Sequence, residues 1–134
     1  VKDVDFGQGL VFIRNTKGGK DRTVMLPDTI QHELQTQIDT VIALHHADVR
    51  EGFGEVYIPG ALARKYPNAS KETAWQYIFP SKKISKDPRS VKSMRHHVME
   101  SGLQKAVKKA LSQSNIYKKA SCHTFRHTFA THLL

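Results

Sequence analysis

Cysteine is nearly absent from this sequence: Cys122 stands alone among 134 residues. One thiol excludes an internal disulfide and any zinc site built from several cysteines, and it fits a reducing compartment. Its local reading is a small packing residue at a helix start, set against the rarer role of nucleophile. Long apolar runs are missing too. None approaches the ~18 residues of a membrane span, and no stretch reads as a secretory signal. Acid is scarce: 12 Asp and Glu face 21 Lys and Arg, a formal net charge of +9. That excess favours a polyanionic partner, phosphate backbones first among them, with an attraction that weakens steeply in salt. The alternative is a soluble protein that is merely basic. No repeat, low-complexity tract or linker interrupts residues 1–134, so one mixed domain is the economical reading. The sequence opens on "VKDVDF" without an initiator Met, the opening expected of an interior segment.

What is present starts with turns. Val4 and Phe6 lead into Gly7-Gln8-Gly9; an apolar strand, Leu10 to Ile13, follows; a second turn centres on Lys17-Gly18-Gly19-Lys20; a third strand runs from Arg22 to Leu26 and stops at Pro27. Glycines supply tight turns and β-branched residues fill the strands, which predicts a three-strand meander. A helix follows, with Asp28 as N-cap, Gln31 three residues on, and Ile30, Leu34, Ile38, Val41 and Ile42 at helical spacing. Residues 51–95 are less regular. A short helix is predicted over Ala61 to Tyr66, and the stretch holding Trp75 reads as a short helix or strand followed by a loop. Leu103, Ala106, Val107, Ala110 and Leu111 then mark an amphipathic helix whose other face carries Lys105, Lys108 and Lys109. Ser121 or Cys122 starts the last helix, with Cys122, Phe125, Phe129, Ala130 and Leu133 on its expected buried side.

That last helix carries the chemistry. His123 and Arg126 are three apart, hence neighbours on one edge, and His127 lies four beyond His123. An arginine fork matches two nonbridging phosphate oxygens, and an imidazole exchanges a proton near neutrality. Bland readings compete: the histidines as ordinary core or surface groups, or His123 and His127 as a metal pair. For the metal pair no Glu follows the first His and no acid or second Cys completes a shell, so no metal is expected. Lys17 at a turn tip reaches a phosphate or a leaving oxygen, or is simply solvated. The turn is not a nucleotide phosphate loop, because the G-x-x-x-x-G-K-[ST] spacing is missing.

Taken in order, "TKGGKDRTVMLP", a basic helix and "HTFRHTFATHLL" resemble the catalytic domain of tyrosine recombinases. Between them, "ALARKYPNASKETAWQYIFPSKKISKDPRSVKSMRHH" is similar to the additional segment of integron integrases. The likeness spans essentially the whole chain. It implies an α+β fold, mainly helical, with a small three-stranded antiparallel sheet, and an integrase-type insertion at about residues 58–97 within one partial catalytic domain. It implies site-specific integration and excision of gene cassettes by DNA strand breaking and rejoining. A tyrosine attacks a phosphodiester, the covalent link preserves the bond, and no cofactor is needed.

By motif matching, Lys17 resembles the hairpin general acid, His123 the histidine that assists proton transfer, and Arg126 the second arginine of the phosphate clamp. Lys20 has a weaker claim on the lysine role and is placed, with Arg22, among the DNA-binding residues. His127 is expected to be structural or to support the reacting residues from behind. The family's first arginine is expected before Val1, and its third histidine and nucleophilic tyrosine after Leu134, so the chain alone is expected to be inactive and monomeric. Longer family members form tetramers on DNA. Expected partners are double-stranded recombination sites and folded single-stranded cassette hairpins with expelled bases, in the bacterial cytoplasm at the nucleoid and with no membrane. Trp75, Tyr77, His96 and His97 are candidates for stacking on such bases, and Arg89 and Arg95 for phosphates nearby. A second reading, that Trp75 and Tyr77 pin the insertion to the domain, stands equally for Trp75. Two other functions remain open: a noncatalytic DNA-binding module of the same fold, and a nuclease using His123 with Lys17.

Overall fold

The computed structural model describes residues 1–15 and 18–132, so Lys17 and Leu133 lie outside the described residues. The chain divides into two compact units, Val1–His97 and Val98–Leu134.

The first unit begins with the expected meander. Strand β1 (Val4–Asp5) pairs with β2 (Leu10–Ile13), and β2 with β3 (Arg22–Met25), all antiparallel. Val4 lies opposite Val11, and Val11 opposite Val24. The amide of Leu26 donates to Gly9 O at 2.8 Å, which carries the pairing one residue past β3 and buries Leu26. Helix α1 (Asp28–Arg50) follows at once. The expected Asp28 cap is corrected: Pro27 holds the N-cap position and no side chain caps the helix. Proline's φ of −61° suits the entry to a helix, and Asp28 sits one residue inside. There its carboxylate accepts from Gln31 Nε2 at 2.8 Å and favours the positive end of the helix.

The inward stripe of α1 starts apolar and ends polar: Ile38 and Val41 are buried, and so are His45 and Asp48. Ile30, placed on that stripe by its spacing, is exposed in the first turn. The polar half of α1 meets the following segment. Gln37 Nε2 donates to Ile78 O (2.8 Å), and His45 Nε2 lies 2.9 Å from Lys71 O. The chain reverses after Arg50 with Gly52 N and Phe53 N returning to Val49 O and Asp48 O. Gly54 lies so close to Val49 that a Cβ there would stand 2.9 Å from the Val49 Cα, which excludes any larger residue without backbone movement. Helix α2 (Gly60–Lys65) and two 3-10 turns, Ala69–Lys71 and Thr73–Trp75, lead on. The chain's first residues are tied here: the Val1 ammonium donates to Gln76 O and Lys2 N to Ala74 O, both at 2.8 Å.

The predicted loop after Trp75 is instead a second antiparallel ribbon, β4 (Pro80–Lys86) and β5 (Ser93–His97). "PSKKISK" has few strand-favouring letters, so its conformation comes from cross-strand pairing and from a built turn. Asp87 N donates to Lys92 O and Val91 N to Asp87 O, each at 2.8 Å.

The second unit holds α3 (Glu100–Gln113) and α4 (Cys122–His132). Both helices form as their periodicity predicts, but the expected burial fails. Phe125 and Phe129 of α4 are 59% and 42% exposed, and Leu103 of α3 is 62% exposed. Two short helices present each other one seam, and an apolar face wider than that seam stays uncovered.

Candidate functional site: an imidazole–guanidinium helix edge and a basic ribbon

On α4 the i, i+4 spacing brings the His123 and His127 rings edge-to-face, centroids 4.4 Å apart at 90°, with Nε2 to Nε2 at 2.9 Å. A hydrogen bond between two ring nitrogens requires one to donate and the other to accept, so at least one ring is neutral while it lasts. His127, expected to be structural or supporting, is the direct partner of His123. Arg126 is exposed on the same helix, and among the described residues no carboxylate pairs with it. The edge thus offers an uncompensated guanidinium on the helix that carries the paired imidazoles.

In the first meander, the turn before Lys20 uses Gly18 and Gly19 at φ +95° and +72°, values that L side chains resist. Asp21 accepts from Asn15 N at 2.9 Å, and Arg14 bridges Asp3 and Asp21. Lys20 and Arg22 are exposed, Arg22 opposite Ile13 in the ladder.

The remaining sequence candidates fall on or near the second ribbon, in different roles. Trp75 is half-buried, tilted against Tyr66 (6.0 Å) with Lys2 Nζ 4.7 Å above its ring, an arrangement that pins the chain's start to this segment. Arg89 stacks its guanidinium 3.7 Å over Tyr57 and donates from Nε to Asp87 at 3.0 Å, and half of its side chain is exposed. His97 is exposed and meets Tyr77 edge-on at 5.2 Å. His96 is half-buried, with Nε2 shielded and unpartnered among the described residues.

Arg95, placed among the phosphate contacts by its sequence context, is turned inward. Nε and Nη2 form a fork with Asp48 at 2.6 and 2.8 Å, and Nη1 donates to Ser81 O and Lys82 O at 2.9 Å. Four of its five donors are engaged inside the unit, so its work is structural.

Two buried acids escaped the sequence reading, Asp48 and Asp87. Asp48 was detectable: it continues the Ile38, Val41, His45 stripe, and a carboxylate on a buried stripe requires a cation. Asp87 had no periodic signal. Burial raises its carboxyl pKa, but hydrogen bonds from Ser90 and Arg89 outweigh that, and the net shift is downward. Glu55 is lowered chiefly by its hydrogen bond from Lys92, against opposing desolvation. A carboxyl whose folded pKa lies below its unfolded value adds stability that is full above the unfolded pKa and lost as pH falls through the folded one. The urea midpoint is therefore expected to hold down to about pH 5 and to decline below it. In Asp87→Asn that decline should be shallower. An equal acid slope in both proteins would remove Asp87 from the account.

Among the described residues, no three His, Cys, Asp or Glu side chains gather to hold a metal, and no helix is long and apolar enough to cross a membrane. The model of the phage integrase family matches residues 1–134. Proteins described as "Integrase/recombinase" from Escherichia coli and Pseudomonas aeruginosa are each 42% identical over all 134 residues, which cover 40% of either relative. A "Tyrosine recombinase XerD" of Staphylococcus epidermidis is 30% identical over the same span, 33% of its length. The chain thus spans well under half the length of the relatives it matches.

Proposed function

The chain belongs to the phage integrase family, and from that premise we propose that it is part of a site-specific tyrosine recombinase that breaks and rejoins DNA. The observation that carries this reading is the α4 edge, where His123 and Arg126 stand exposed and no acid among the described residues neutralises the guanidinium. Negative charge grows on the nonbridging oxygens as a tyrosine attacks phosphorus, and an arginine fork stabilises it. The departing 5′-oxygen takes a proton, a role assigned to Lys17 with His123 assisting. No cofactor is required, since the phosphotyrosyl link conserves the bond.

The finer reading is an integron integrase acting on cassette sites, with residues 58–97 as the added segment of one catalytic domain, working on DNA as a tetramer in the bacterial cytoplasm. Its support is the ribbon itself, which carries six Lys and Arg against one Asp between positions 80 and 97 and ends in His96-His97. His97, edge-on to Tyr77, is the better placed of the two for an expelled base, and Trp75 is assigned to packing. The test is binding of a folded DNA hairpin with and without its extrahelical bases. His96→Ala with His97→Ala is expected to weaken the hairpin bearing those bases roughly tenfold, the scale of one stacked base, and to leave the other nearly unchanged. Equal weakening of both would refute base recognition.

A further inference from the structure

The second ribbon is not a regular ladder. Pro80 lies opposite His97 and Ile84 opposite Arg95, so four steps along β4 match two along β5. Ser81, Lys82 and Lys83 bulge out against His96 alone. A bulge of this kind interrupts the ladder and leaves carbonyls without strand partners. Here Arg95 takes up two of them, Ser81 O and Lys82 O, through one nitrogen, while its fork is anchored on Asp48 of α1. The bulge is thus held from behind by a buried ion pair, an expensive device for a surface loop. Its outward side carries Lys82 and Lys83, both exposed, with Lys86 further along β4. Three acids in this part of the unit are engaged: Asp87 is buried with Arg89 and Ser90, Glu55 bridges Lys92 and Lys71, and Asp48 holds Arg95, while Glu51 acts on Arg95 at longer range.

We infer that the bulge is a phosphate-binding edge for DNA, with Lys82 and Lys83 as its contacts and the Asp48–Arg95 pair as the positioning device that sets them. The inference rests on the recombinase reading and deepens it by giving Lys82, Lys83 and Arg95 individual roles. Buried against α1, Arg95 acts on the nucleic acid only through the backbone it holds. The lysines, two adjacent ammonium groups on a kinked strand, fit successive phosphates and carry no base preference.

The experiment is a salt titration of DNA-hairpin binding by the whole 134-residue chain. For Lys82→Ala with Lys83→Ala, the slope of log affinity against log salt is expected to drop by about 1.5 to 2, because two phosphates are no longer neutralised, with affinity down roughly tenfold or more at about 0.1 M salt. The melting temperature should not move, because both side chains are solvated. Arg95→Lys keeps the charge but cannot hold Asp48 and two carbonyls together. It should reduce the slope as the double variant does, and the triple variant should show no further drop. An unchanged slope in the double variant overturns the phosphate edge. A wild-type slope in Arg95→Lys, or additive losses in the triple variant, overturns the positioning role. A wild-type chain that binds neither hairpin nor duplex at low salt defeats the recombinase reading itself, a result distinct from the other two.

Discussion

Asp48→Ala is expected to destabilise the protein by about 3 to 5 kcal/mol, the usual consequence of removing one partner from a buried ion pair. The size follows from what stays behind. Arg95 has 15% side-chain exposure and Asp48 8%, so both groups have little water to fall back on. The hydrogen bond to Asp48 is the main influence holding the Arg95 pKa above its ordinary value, against the desolvation that lowers it, and a guanidinium stripped of that partner cannot escape by losing its proton. It would remain charged in a pocket that includes His45, Tyr77 and Pro80. A domain's whole stability is about 5 to 15 kcal/mol, so the variant approaches the edge of folding. Urea unfolding should show the midpoint falling by more than about 1 M. The exposed Lys92–Glu55 bridge provides the contrast: Lys92→Ala should cost under about 1 kcal/mol. Asp48→Leu combined with Arg95→Met should recover much of the loss, since an apolar pair of similar volume carries no desolvation penalty. A destabilisation below about 1 kcal/mol in Asp48→Ala would show that the pair is far better hydrated than its geometry implies.

The same pair marks where sequence reasoning reaches its limit. The meander was legible because its turns are local: Gly7, Gly9, Gly18 and Gly19 punctuate short β-branched runs. Helices α1, α3 and α4 were legible because apolar periodicity needs no knowledge of the partner. The internal engagement of Arg95 is not legible in the sequence because its partner, Asp48, is 47 positions away. An arginine among lysines and histidines reads as a phosphate ligand until an acid from another element claims it. The second ribbon was hidden for a related reason. β4 has little intrinsic preference for a strand, and its pairing is stabilised through Asp87, Arg95 and the packing of α1. Periodicity gave the apolar side of α4 correctly but not its burial, because Phe125 and Phe129 find no cover in the described unit. The His123–His127 contact is the opposite case: spacing placed the two rings as neighbours, and the 2.9 Å approach turns that into a specific partnership.

Arg126→Ala, in a recombinase that carries this chain, should slow DNA strand cleavage about 10²- to 10³-fold, the scale of removing one preorganised donor to a developing oxyanion. Exposure separates this effect from a folding defect. Arg126 lies on the open edge of α4 and among the described residues pairs with no acid, so its removal should change stability by no more than about 0.5 kcal/mol. Ground-state binding should suffer far less than the rate, with the salt slope falling by about one as a single phosphate goes unneutralised. Arg126→Lys is the sharper variant. It preserves the charge, and hence most of the salt slope, but a point ammonium cannot address two nonbridging oxygens at once. It should therefore bind nearly as the wild type does and still cleave at least roughly tenfold more slowly, because the fork matters most when both oxygens carry developing charge. If Arg126→Lys cleaves at the wild-type rate, the guanidinium contributes charge alone and the bidentate clamp is wrong. If Arg126→Ala slows cleavage by less than roughly tenfold, the α4 edge does not face the reacting phosphate.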